Sequence, residues 1–257
     1  MIANYHTHTP RCNHARGGEE EYIQNAVAGG LEILGFADHS PYWFTGAGDY
    51  YSTFRMRPEA LPDYVQTLGK LREKYSRQLQ MHIGVEAEYY PKYFAELKER
   101  LRDAGVEYML LGQHFPGNEL GEKHTSVPTA EESVLARFCD QLIGAMQTGA
   151  FTYIAHPDVL HFVGEDGVYR RHAARVCREA ASCGIPVEIN FLGLREGRYY
   201  PDNRFWQVAG EEGCGVIFGS DAHSPDVVVD PATEQRALEM VREYGLKLIQ
   251  KLEPVKF

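Results

Sequence analysis

Six histidines stand where strands are expected to end, and their spacing is that of metal ligands. His6 and His8 form a His-x-His pair at the close of the first expected strand. Strand side chains alternate between faces, so residues two apart project to one side and two imidazoles there can share a cation. The same spacing recurs as Asp221-x-His223 in Gly219-Ser220-Asp221-Ala222-His223-Ser224. His39 ends the second strand, Glu86 and Glu88 the third; His114 follows the fourth, and His156 ends the fifth in Ala155-His156-Pro157-Asp158. Several divalent cations held by such groups can neutralise a phosphate dianion, orient it, and generate hydroxide from water near neutral pH. No protein nucleophile is then required, and the sequence has no Gly-x-Ser-x-Gly elbow to supply one.

A single strand-end histidine is usually a hydrogen-bonded residue of core or surface. Six of the seven expected strands end in histidine or paired carboxylates, however, and such groups buried together are poorly compensated without a cation. Five of the eleven histidines fall outside this pattern: His14, His82, His124, His161 and His172. Spacing assigns them no metal role. His124, beside Lys123 in a polar loop, reads as solvated more readily than as a substrate contact. Arg195 follows the sixth strand, where a guanidinium can grip phosphate in bidentate fashion; an ordinary surface arginine is the alternative.

The elements that must position these groups alternate along the chain. Short runs rich in β-branched and aromatic residues (2–5, 32–37, 81–86, 108–112, 151–155, 187–190 and 215–219) are separated by stretches of helical period (19–28, 61–77, 93–103, 130–147, 173–182 and 231–244). That βαβα order predicts an α/β fold with parallel strands, whose post-strand loops gather at one face, where catalytic residues collect. With 257 residues, 44% of them hydrophobic, one domain over 1–257 is the simplest reading. The irregular stretch 40–58, rich in Gly, Tyr and Trp, is either a loop folding over the site or inert surface.

Composition narrows the partners. Thirty-six acidic and 26 basic side chains give a formal charge of −10, which disfavours nucleic acid. No run approaches the roughly 20 apolar residues of a membrane span, and a cytoplasmic location is expected. Five scattered cysteines without a C-x-x-C pair read as reduced thiols rather than disulfides or a thiolate zinc site.

The string His6-Thr7-His8-Thr9-Pro10-Arg11-Cys12-Asn13-His14-Ala15, with Ala37-Asp38-His39, Gly84-Val85-Glu86, His114, His156-Pro157-Asp158, Glu188-Ile189-Asn190 and Ser220-Asp221-Ala222-His223, resembles the polymerase and histidinol phosphatase (PHP) superfamily. Within it the likeness is greatest to monofunctional histidinol-phosphate phosphatases. The resemblance spans about residues 4–225 and implies a distorted (β/α)7 barrel with three divalent metals, whether Zn, Mn or Fe. It implies that His6, His8, Glu86 and Asp221 hold the first metal, that Glu86 bridges to a second held by His114 and His156, and that His14, His39 and His223 hold the third. His14 enters as a ligand only through this likeness, as does the choice of Glu86 over Glu88. One departure is Gly112-Gln113-His114, where relatives more often have a small residue and one more position before the histidine.

The activity implied is hydrolysis of L-histidinol phosphate, with Glu86, Asp221, His223 and Arg195 as the catalytic set. Asp158 and Glu188 are expected to support the ligands or to meet a substrate amine, support being the simpler role. A phosphodiesterase or nuclease acting on nucleotides or RNA ends is less consistent with the acidic composition. A non-catalytic metal-binding module is less consistent with the complete ligand set.

Overall fold

The computed structural model describes residues 1–48, 50 and 52–257. Asp49 and Tyr51, inside the 40–58 stretch, lie outside the described residues.

Strands β1 (Ala3–Asn4), β2 (Ile33–His39), β3 (Gln80–Ala87) and β4 (Tyr108–Leu111) pair in that order. Strands β5 (Val187–Asn190), β6 (Gly215–Gly219) and β7 (Lys247–Leu248) form a second set, and every pairing is parallel. Helices α1 (Glu19–Ala28), α2 (Leu61–Tyr75), α3 (Pro91–Ala104), α4 (Glu132–Gln147), α5 (Asp166–Cys183), α6 (Phe191–Glu196), α7 (Asn203–Glu211) and α8 (Pro231–Glu243) fill the connections. Among the described residues, no helix is long and apolar enough to cross a membrane.

The two sets join through residues 151–155, expected to be a strand but present only as single bridges. Ile154 pairs with Leu111 on one side and Val187 on the other. Ala155 N donates to Leu111 O at 2.9 Å and Glu188 N to Ile154 O at 2.9 Å, so the segment still carries the ladder across. At the other margin Thr7 bridges Ala222, and His8 N donates to Ala222 O at 2.9 Å, bringing the end of β6 back to the end of β1. The sheet thus curls on itself, and β7, which the sequence did not mark, lies against the start of β6.

Two apolar clusters hold this shape. A larger one fills the space between strands and helices, and a smaller one, containing Tyr5, Tyr108, Tyr153 and Ile217, lies within the curl. Tyr108 there donates its hydroxyl to Tyr5 O at 2.7 Å, satisfying the one polar atom that so large a ring brings inside. Two helices were not anticipated. α7 begins at Asp202, whose carboxylate accepts from Arg204 N at 2.8 Å, an N-cap readable in Pro201-Asp202-Asn203. α6 follows β5 with no intervening turn and is capped by Asn190, which accepts from Gly193 N at 3.0 Å.

Candidate metal centre

Glu86, at the C-terminal end of β3, is fully buried and ringed by imidazoles. Its Oε1 lies 2.7 Å from His156 Nε2 and 3.5 Å from His114 Nε2. Its Oε2 lies 3.0 Å from His39 Nδ1 and 3.6 Å from both His6 Nε2 and His8 Nε2. The register places His39 beside Glu86 on neighbouring strands. Asp221 Oδ1 completes the ring at 3.0 Å from His8 Nε2 and 3.5 Å from His6 Nε2. Gly112 is required here, because a Cβ at that position would overlap the Glu86 carboxylate. Despite the shorter spacing before it, His114 reaches the cluster. Gln113 braces that turn, accepting from Tyr89 N at 2.9 Å and donating to Phe115 O at 2.8 Å.

For His6, His114 and His14 a hydrogen bond to the second nitrogen holds the ring. His6 Nδ1 donates to Glu188 at 2.8 Å, His114 Nδ1 to Glu88 at 3.1 Å and His14 Nδ1 to Cys12 O at 2.8 Å, while His8 Nδ1 sits 3.4 Å from Asp38. The Nε2 atoms of His6 and His8 face Glu86 and Asp221, that of His114 faces Glu86, and that of His14 faces His223. Buried and without hydrogen-bond partners are His6 Nε2, His8 Nε2, His39 Nδ1, Glu86 Oε2 and Asp221 Oδ1. Orphaned polar atoms are costly unless something answers them, and several cluster as prospective ligands: His6, His8 and Glu86; His6, His156 and Asp221; His8, His39 and His223. The donor set therefore fits divalent cations.

Electrostatics agree. Burial opposes charge on Glu86 and on Asp221, yet the surrounding histidines outweigh it and hold both carboxyls well below their ordinary range. For His6, burial is likewise overcome, by Glu188, Asp221 and Glu86, and the ring's pKa is raised. That field favours a positive charge at the centre, which a metal ion supplies as well as a proton does. His156 and Asp221 adopt positive φ (31° and 46°), a strained conformation for residues with a Cβ and one that recurs at functional sites.

Not every expected residue joins the cluster. Arg195 turns towards α8, with Nη1 3.5 Å from Asp230 Oδ2, and is not among the residues lining the cavity of about 770 Å³ above Glu86. The cation on that wall is Arg198, whose Nε donates to Glu196 at 2.8 Å and Nη1 to Tyr200 Oη at 3.1 Å. Asp158 also faces away: its Oδ2 accepts from Asp202 N at 2.6 Å and Trp206 Nε1 at 2.9 Å, tying down the start of α7. Glu188 lies behind His6, fully buried, and meets that ring and Asn190 Nδ2. Gly219 makes room for it, since a Cβ there would overlap its carboxylate. His124 lines the cavity, against the expectation of a solvated loop residue.

Comparison with known proteins identifies the family. The family model for the PHP domain matches residues 4–191. The chain belongs to the PHP domain family. A protein named probable histidinol-phosphatase from Deinococcus radiodurans is 30% identical over 268 residues, covering 98% of this chain and 99% of that one. Histidinol-phosphatase of Bacillus subtilis is 23% identical over 247 residues, covering 85% and 92% respectively. The fold is that of histidinol phosphate phosphatase from Lactococcus lactis, crystallised with zinc, L-histidinol and phosphate: TM-score 0.71, 18% identity, 96% of this chain and 95% of that one.

Two supports that spacing did not single out are Asp38 and Arg55, which act through contacts distant in sequence, and Cys12 comes within ligand reach of His14 and His223. Glu88, read from spacing as one of a carboxylate pair, stands behind His114 rather than beside Glu86 in the ring. Of the two that were missed, Asp38, next to His39 in a strand buried throughout, carried a local signal.

Proposed function

We propose that this PHP chain, read as one domain over residues 1–257, is a cytoplasmic metal-dependent phosphomonoesterase that hydrolyses L-histidinol phosphate to L-histidinol and phosphate. The observation that carries the catalytic reading is the buried Glu86 carboxylate encircled by inward-facing, unpartnered imidazole nitrogens. The end-to-end likeness to proteins named histidinol-phosphatase supports the substrate. His6, His8, Glu86 and Asp221 would hold one ion, Glu86, His114 and His156 a second, and His14, His39 and His223 a third, with Zn, Mn and Fe all suited to such ligands. Bound there, the metals supply charge neutralisation for the phosphate dianion and acidify water to give a nucleophile.

The chain's own groups do the rest. Glu188 and Glu88 hold the rings of His6 and His114, and Asp38 stands 3.4 Å from His8 Nδ1. Arg198 and Glu196 face the same cavity as a partly exposed pair, which is weak enough to open. One then offers a guanidinium to phosphate and the other a carboxylate to the substrate's ammonium group. Phe54 and Tyr199 add aromatic walls.

The test is phosphate release by the metal-reconstituted protein across phosphomonoesters and nucleotides. Histidinol phosphate should show the highest kcat/KM. A nucleotide preferred by about tenfold or more would reassign the chain to a nucleotide-cleaving role while leaving its metal ligands in place.

A further inference from the structure

Arg55 is 2% exposed, an uncommon situation for a guanidinium, and it lies near the end of the 40–58 stretch rather than on a strand. Its Nη1 and Nη2 donate to Glu88 Oε2 and Oε1 at 2.9 and 3.0 Å, a bidentate grip, and Nη2 also pairs with Glu119. Nη1 donates in addition to Ser40 O at 3.0 Å, next to His39. The backbone beside it is tied to two further ligand-bearing segments. Met56 N donates to His39 O at 3.1 Å, and Asn13 Nδ2, adjoining His14, donates to Arg55 O at 3.1 Å. Tyr42 and Phe54 rings cover the guanidinium, with centroids 5.1 and 4.4 Å from its central carbon.

Glu88 is the link to the chemistry. The Oε1 that Arg55 grips also accepts from His114 Nδ1 at 3.1 Å, while His114 Nε2 faces Glu86. A bidentate arginine holds a carboxylate in one plane, so the direction in which Glu88 offers its oxygen to His114 is set by Arg55.

We propose that Arg55 is a positioning residue for the metal centre: by fixing the plane of Glu88 it orients His114, and so sets the affinity of the site His114 shares with Glu86 and His156. The proposal rests on the metal-dependent reading above.

The test is stepwise zinc affinity of the chelator-stripped chain, measured by competition with a chromogenic chelator, beside the melting temperature of each variant. Arg55→Lys keeps the charge but loses the two-pronged grip. It should weaken one binding step by about 10- to 100-fold, the usual effect of losing an outer support of a ligand, and lower kcat by a similar factor with little change in KM. Glu119→Gln loosens the same loop without touching His114 and should leave every step within about threefold. Arg55→Gln/Glu119→Gln, which removes one charge of each sign, should reproduce the selective loss and serves where Arg55→Lys fails to fold. Unchanged affinities in the Arg55 variants, or a parallel weakening of all steps that Glu119→Gln shares, would overturn the proposal and leave the metal reading standing. A wild-type chain that binds no zinc would overturn both.

Discussion

The Nε2 atoms of His14 and His223 face each other at 3.0 Å. The Nδ1 of His14 is 2.8 Å from Cys12 O and that of His223 is 3.2 Å from Asp221 O. A carbonyl only accepts, so each ring carries its proton on Nδ1 and the two Nε2 lone pairs point at one another. Burial, and after it the neighbouring His8, lower both pKa values, that of His223 to about 3, so neither ring takes up a proton near neutral pH. Two nitrogens bound to one tetrahedral zinc at about 2.05 Å stand about 3.3 Å apart. A shared cation would turn this repulsion into coordination.

Metal content is the next test. The ligands proposed from the family resemblance divide into three sets with only Glu86 shared, so elemental analysis after reconstitution with Zn, Mn or Fe should give close to three ions per chain. Removing them with a chelator should lower the melting temperature by about 10 °C, since ligands held at about a thousand times their dissociation constants contribute about 4 kcal/mol. One ion or fewer per chain would rule out the three-metal reading.

Glu86→Gln should abolish turnover, with a fall of at least about a thousandfold in kcat, because the charge facing five imidazoles is lost while the volume is kept. Far-UV circular dichroism should be unaltered, as the side chain packs among polar groups rather than within the apolar core. Activity like that of the wild type would refute the central role of Glu86.

What the sequence carried, and what it did not, divides along physical lines. The clustered positions were legible because a strand end fixes both the location and the face of a side chain: His6, His8, His39, Glu86, His114 and Asp221 reach the cluster from at or just beyond such ends, and His156 from beyond the bridged segment 151–155. His14 lies in a loop, and spacing was silent about it. Arg195 failed because α6 starts directly after β5 and its helical turn carries that side chain towards α8, a rotation that strand alternation does not describe. Residues 151–155 kept their place between the sheet halves while forming only isolated bridges, a distinction set by neighbours rather than by the segment. Arg55 could not be foreseen, since its partners Glu88 and Glu119 lie 33 and 64 residues away.

Asp158 gives a dependence of stability on pH. Burial raises its pKa to about 7, although Asp202 N–H and Trp206 Nε1–H favour the charged form. In the unfolded chain the group titrates near its ordinary value of about 3.9, so between those values the folded state binds the extra proton and this contribution to stability falls as pH rises. Above about pH 7 the loss is complete. Asp158→Asn removes the titration and should gain on the wild type, by about 2 kcal/mol, as pH goes from 5.5 to 8, because the folded group loses its proton over the roughly 1.5 pH units below about 7. Urea midpoints of the two proteins measured in parallel decide it, and a constant difference across that range would show that Asp158 does not titrate there.

The cavity's cation yields the last prediction. Arg198 lines the same wall as His124, Tyr199 and Tyr200 above Glu86, whereas Arg195 turns to Asp230 at the start of α8. Under the proposed function Arg198 is the guanidinium that would meet a phosphate oxygen, and its pairing with Glu196 is exposed enough to be exchanged for a substrate at little cost. Arg198→Ala should therefore lower kcat/KM for histidinol phosphate by roughly ten- to a thousandfold, the equivalent of one charge-assisted contact of about 1.5 to 4 kcal/mol. Arg195→Ala should stay within about threefold of the wild type in kcat/KM, because its loss reaches the site only through the packing of α6 on α8. Metal content should be the same in both. The reverse ranking would return the phosphate contact to Arg195 and require α6 to turn its side chain into the cavity when substrate binds.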